Sequence, residues 1–130
     1  MSKTFRQTVR IGASPHEVYE ALMDSQRHGA FTGSPAKITR RVGGTFSVFD
    51  GWATGKILEL RKDARIIQTW RSDDFADGDP DSKVTFTLTK RGRGTALTLV
   101  HSHVPDDQYR DVKRGWVEFY WTPLKAYLEK

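Results

Sequence analysis

The chain contains no cysteine in its 130 residues, which excludes disulfides, thiolate metal ligands and a cysteine nucleophile together. That fits a reducing compartment. It also lacks any apolar run approaching the ~20 residues needed to span a bilayer. The opening MSKTFRQTVRIG has no h-region of a secretory signal. The expectation is a soluble, cytoplasmic protein without membrane insertion. Catalytic signatures are missing as well: there is no HExxH, no GxSxG, and no serine at a recognisable motif spacing from a histidine and a carboxylate. Gly43–Gly44 precedes a strand and lacks the P-loop lysine. Linkers, repeats and low-complexity segments are absent too, so residues 1–130 read as one domain, large enough to bury its own core.

Aromatic residues are plentiful: four tryptophans, seven phenylalanines and four tyrosines. The stretch GGTFSVFDGWATGKILELRKDARIIQTWR predicts strands over Thr45–Phe49, Trp52–Leu60 and Ile66–Arg71, separated by DG and RKDAR. Phe5–Ile11 alternates as a first strand, and SPHE at 14–17 starts a helix with Ser14 as cap, Pro15 at N1 and Glu17 at N3. A second short helix follows from Asp24, ended by Gly29 or by TGSP at 32–35. Val84–Thr89 and Thr95–Val104 form a hairpin around KRGRG. Its register pairs Lys90 with Thr95, Leu88 with Leu97, Phe86 with Leu99 and Val84 with His101.

The last segment, from Pro105 to Lys130, predicts a long helix capped by Asp106 or Asp107. Tyr109, Val112, Trp116, Phe119, Tyr120, Leu124 and Tyr127 recur on one face at helical spacing. Pro123 removes one backbone hydrogen bond and should bend that helix. Gly115 lowers helix propensity by about 1 kcal/mol, which a close backbone approach would justify. An antiparallel sheet with helices on one face is an α+β sandwich.

These blocks resemble the START-like helix-grip superfamily, also called SRPBCC or Bet v 1-like. More narrowly, they are similar to the family of heat-shock protein 90 ATPase activator homologues. The residues that carry the resemblance are SPHEVYEALMD at 14–24, GGTFSVFDG at 43–51, TGKILEL at 54–60, IIQTWR at 66–71 and GWVEFYWTPLK at 115–125. The resemblance implies a curved antiparallel sheet of about seven strands wrapped around the C-terminal helix, with a cavity between them in many members. It also implies a link to stress response. The eukaryotic activator's separate N-terminal domain, with its asparagine- and tryptophan-rich motif, has no counterpart here, so the chain reads as a stand-alone single-domain member.

Three functions compete. The leading expectation is a non-enzymatic domain holding an apolar or amphipathic small molecule between sheet and helix, without a cofactor. Its expected contacts are Trp116, Phe119 and Tyr120 from the helix, and Phe46, Val48, Phe86, Leu99 and His101 from the sheet. Buried tyrosine hydroxyls and tryptophan N–H groups need partners, which a ligand cavity would supply. The second is a protein-interaction module that binds a heat-shock protein 90-type chaperone and stimulates its ATPase. The third is a cyclase- or hydrolase-type enzyme using His101 and a cavity tyrosine. His101 and His103, two apart on a strand, should share a face, but a metal site would need a further ligand, and none is expected.

The net charge is +5 and the isoelectric point near 9.6. Its distribution matters more than its sum. In a meander, Arg40–Arg41, Arg61–Lys62–Arg65 and Lys90–Arg91–Arg93 fall at one end of the sheet. Asp50, the aspartates of 73–81, and Asp106–Asp107 fall at the other. An acidic pole and the lack of an exposed aromatic platform argue against nucleic acid.

Overall fold

The structure is a computed structural model describing residues 2–129. Seven strands form one antiparallel sheet: β1 (Ser2–Ile11), β2 (Lys37–Ile38), β3 (Thr45–Val48), β4 (Ala53–Arg61), β5 (Arg65–Ser72), β6 (Ser82–Arg91) and β7 (Gly94–Pro105). Their order is β1-β7-β6-β5-β4-β3-β2. From β2 to β7 this is an uninterrupted meander; only β1 crosses to the far edge, beside β7. Two short helices, α1 (Pro15–Met23) and α2 (Ser25–Thr32), follow β1, and the C-terminal helix closes the buried face. This is the helix-grip arrangement expected from the sequence.

Local chemistry explains the boundaries. Ser14 Oγ accepts the Glu17 N–H at 3.2 Å, capping α1. Asp24 Oδ2 accepts the Arg27 N–H at 3.0 Å, capping α2, which ends at Gly33 with φ 74°. The β6–β7 hairpin has the predicted register throughout, so Val84, Phe86 and Leu88 share the buried face with Leu97, Leu99 and His101.

Two expected strand details differ. A regular hairpin that paired Arg61 with Ile66 would set Glu59 opposite Gln68; instead β4 carries a bulge between Ile57 and Glu59, Arg61 pairs with Arg65, and Glu59 lies opposite Ile67. The extra residue leaves Leu58 in solvent and keeps Ile57 in the core. On β7, three steps from His101 to Val104 face two steps from Phe5 to Lys3, and His103 takes φ 60°. That irregularity breaks the alternation: His101 is buried and His103 is exposed, so the two histidines do not share a face.

The C-terminal helix also departs from regular α geometry. Its first part, α3 (Tyr109–Gly115), begins after Gln108 with no side-chain cap, because residues 105–108 form a turn instead; neither Asp106 nor Asp107 caps it. Trp116–Trp121 is a π-helical segment, and α4 (Thr122–Leu128) completes the element. Pro123 has no N–H to offer the Phe119 carbonyl, and its ring would crowd that oxygen. The chain widens just before it, with the Thr122 N–H bonding the Val117 carbonyl five residues back. Five-residue spacing then stacks Trp116 on Trp121, ring centroids 5.5 Å apart at 21°. Trp121 is thereby buried, whereas Phe119 turns outward.

Two buried polar chains fasten this helix. Trp116 Nε1–H donates to His101 Nδ1 at 3.0 Å. His101 Nε2–H donates to Ser82 Oγ at 2.8 Å, and Ser82 Oγ–H donates to the Trp70 carbonyl at 2.6 Å. That order fixes the neutral Nε2–H tautomer, because Nδ1 must accept. Similarly His28 Nδ1–H donates to the Leu22 carbonyl at 3.0 Å, while its Nε2 accepts the Tyr120 hydroxyl proton at 3.0 Å. Burial lowers the His28 pKa to about 4 and the His101 pKa to about 3.

Both shifts destabilise the fold in acid. A histidine whose folded pKa lies below its unfolded value of 6.5 contributes stability that is complete above that value and is lost as pH falls towards the folded one. Urea unfolding should therefore show a loss of roughly 2–3 kcal/mol per histidine between neutral pH and about pH 4.5. Both imidazoles should stay neutral by NMR at about pH 5. A ring titrating near 6.5 would contradict the assignment. Gly55 gives an independent check, because a Cβ there would overlap the Thr69 carbonyl and the Phe46 ring. Gly55→Ala should lower the urea-unfolding free energy by about 1–3 kcal/mol.

Candidate functional site

The aromatic residues do not fill the space between sheet and helix completely. A cleft of about 340 Å³ opens where α3 leaves the sheet. Phe49, Trp52 and Trp70 wall it from the sheet side, and Trp116, Phe119 and Tyr120 from the helix side. Val112 and Gly115 complete its apolar lining, and Asp74, Gln108 and Asp111 are its polar residues.

The walls are held by ring contacts and by unusual backbone. Asp50 and Gly51 have φ 55° and 92°, and the Trp52 N–H reaches the Phe49 carbonyl at 3.1 Å, a left-handed two-residue hairpin turn that suits the DG pair. Phe49 itself has φ 53°, which a bulky residue rarely adopts. The ring so placed meets Trp52, Phe119 and Tyr120 with centroids 6.1, 6.2 and 5.6 Å away. Trp52 Nε1–H donates to Asp74 Oδ2 at 3.3 Å, tying the β3–β4 turn to the β5–β6 loop. Trp70 is only 4% exposed, and its Nε1–H has no hydrogen-bond partner among the described residues.

Gly115 has φ −60° and ψ −36°, ordinary helix values. A Cβ there would find only the Phe119 ring, at 3.8 Å. Close backbone approach therefore does not explain this glycine. What its missing side chain leaves is room in the cleft.

The expected contact residues are divided by the structure. Trp116, Phe119 and Tyr120 line the cleft. Phe46, Val48 and Phe86 meet Tyr120 around a separate gap of about 10 Å³, too small for more than one water. Leu99 and His101 are fully buried and line neither space. Both ring nitrogens of His101 are engaged within the chain, and the Tyr120 hydroxyl is engaged with His28. Burial raises the Tyr120 pKa above its ordinary value. Neither group has a free proton-transfer position. Among the described residues no three histidine, cysteine, aspartate or glutamate side chains gather as a metal site, and no helix is long and apolar enough to cross a membrane.

Sequence reasoning missed Phe49, Trp52, Trp70 and Gly115 as cleft residues. The DG turn beside two aromatics was the available signal for Phe49 and Trp52. Alternation put Trp70 on the face of Ile57, where it is found buried, but Leu58, Leu60 and Ile67 made the opposite face read as apolar too.

Comparison with known proteins gives a consistent relationship. The family described as "Activator of Hsp90 ATPase homolog 1-like protein" matches residues 12–129. The activator of 90 kDa heat shock protein ATPase homolog of Dictyostelium discoideum is 29% identical over 116 residues, covering 88% of this chain and 30% of that protein. Human activator homolog 1 is 26% identical over 112 residues, 86% of this chain and 33% of its own length. The chain thus spans about a third of these relatives. The crystal structure of an HSP90 activator from Plasmodium falciparum superposes with TM-score 0.88 at 26% identity, covering 97% of this chain and 96% of that one. CalU16 from Micromonospora echinospora superposes with TM-score 0.77 at 30% identity, over 98% of this chain and 75% of its own. The chain is a member of the family of Activator of Hsp90 ATPase homolog 1-like proteins.

Proposed function

We propose that this domain binds an apolar or amphipathic small molecule in the cleft between the sheet and α3. The observation that carries the proposal is the cleft of about 340 Å³, with aromatic rings on both its sheet side and its helix side. Its size suits a small ligand. Trp70 contributes a buried apolar wall to that cleft. Gly115 adds a second argument, since a helix that spends propensity on a glycine without steric need keeps volume open there.

A co-chaperone role is the second reading, favoured by relatives named as activators of the heat-shock protein 90 ATPase. In it the domain contacts the chaperone with a charged end of the sheet, through a salt-sensitive interface.

The glycine separates stability from binding. Gly115→Ala should raise the urea-unfolding free energy by about 0.5–1 kcal/mol, because its backbone is already helical. Gly115→Leu should fold and yet weaken binding of the neutral fluorescent probe N-phenyl-1-naphthylamine by about tenfold, by occupying the cleft. Equal probe binding by Gly115→Leu and wild type would remove the cleft as the site. Amide spectra recorded with added chaperone test the second reading: salt-sensitive broadening confined to one end of the sheet supports it, and unchanged spectra oppose it.

A further inference from the structure

The meander sorts charge by position. Turns β2–β3, β4–β5 and β6–β7 lie at one end, where the Leu88 N–H of β6 bonds the Ala64 carbonyl of the β4–β5 turn. These carry Arg40, Arg41, Lys62 and Arg93, against one acid, Asp63. The turns at the other end are β3–β4, β5–β6 and β7–α3, the first two linked by the Asp73 N–H to the Trp52 carbonyl. They carry Asp50, Asp73, Asp74, Asp77, Asp106 and Asp107. The cleft is built from this acidic end.

Two carboxylates belong to the cleft itself. Asp74 comes from the β5–β6 loop and Asp111 from the first turn of α3, and both are exposed. No lysine or arginine is among the described residues that line the cleft. Arg71, the cation nearest in sequence to Asp74, is committed elsewhere. Its guanidinium donates to the Asp79 and Ala76 carbonyls, both at 2.6 Å, and to Asp81 at 3.3 Å. Beside Asp74 stands Trp52, 37% exposed and hydrogen-bonded to that carboxylate. An indole face next to a carboxylate, above an apolar floor, attracts an organic cation by both cation–π and Coulomb terms.

From this geometry we infer that the cleft selects hydrophobic amines: the apolar part lies against Trp70, Trp116 and Tyr120, and the cationic head lies between Asp74 and Asp111 beside Trp52. The inference rests on the cleft being a binding site. It opposes the bulk charge of the chain, which is +5 and would draw anions. Global and local electrostatics therefore predict opposite ligands, and the local one wins because screening confines charge effects to about 8–10 Å in physiological salt.

Two probes of equal alkyl chain length and opposite head charge decide the matter: decyltrimethylammonium and undecanoate, each below its micellar concentration, followed by tryptophan fluorescence. The full chain should bind the ammonium roughly tenfold more tightly than the carboxylate. The preference should shrink when salt is raised. Asp74→Asn with Asp111→Asn should abolish the preference, since asparagine keeps the acceptor for Trp52 and removes only the charge. Equal binding of both charged probes, or tighter undecanoate binding, overturns the charge selectivity and leaves cleft binding standing. Failure of every probe, the neutral N-phenyl-1-naphthylamine included, overturns both.

Discussion

Trp116 Nε1–H donates to His101 Nδ1 beneath the middle of the C-terminal helix, and the position of almost everything around the cleft depends on that bond. His101 is held in one tautomer by Ser82, which is itself held by the Trp70 carbonyl on the neighbouring strand. The chain of donors therefore runs from helix to β7, β6 and β5 without a break. Each such bond is worth about 1 kcal/mol net, less than the roughly 2–3 kcal/mol gained by burying one aromatic side chain. Apolar burial holds the helix on the sheet; the polar chain fixes where along the sheet it sits. A shifted helix would leave a buried imidazole nitrogen or indole N–H without a partner.

The same fastening accounts for the open end. The π-helical segment brings Trp116, Tyr120 and Trp121 down together, and Trp121 Nε1–H reaches Gln7 on β1 at 2.7 Å. Towards its N-terminus, α3 has only Val112 buried and carries Gly115 where a side chain would have packed. The helix is thus gripped firmly along its π segment and loosely at its start. The cleft lies at the loose part, under Phe49 and Trp52 from a turn whose backbone is left-handed at three consecutive residues. Asp50 and Gly51 are left-handed because the two-residue hairpin requires it; Phe49, before them, is left-handed where a simple hairpin does not require it, and its ring forms part of the cleft wall.

Much of this was legible in the sequence. Alternation in Val84–Thr89 and the glycines of KRGRG determined the β6–β7 register residue by residue. SPHE marked the start of α1 because serine, proline and glutamate each satisfy a different requirement of a helix N-terminus. Three features were hidden for one reason: they change the period. The β4 bulge moved Glu59, the irregularity on β7 separated His103 from His101, and the π segment exchanged Phe119 for Trp121 in the core. A period of two or 3.6 carried across an inserted residue assigns the wrong face to every position beyond it. The helix side of the cleft was legible, since Trp116, Phe119 and Tyr120 all line it. The sheet side was not: Phe49 and Trp52 come from a turn, and Trp70 from a strand region with apolar residues on both faces.

The central claim is that the space at the start of α3 is a ligand cleft, distinct from the dry core around His101. The most direct measurement follows the four indole N–H resonances in a titration with 1-octanol, an uncharged probe that does not depend on the acidic rim. The account predicts that the Trp52 and Trp70 signals move, since both rings wall the cleft. The Trp121 signal, bonded to Gln7 outside it, should stay. Movement of Trp121 alone, or of none of the four at saturating octanol, would contradict the claim and place any ligand elsewhere.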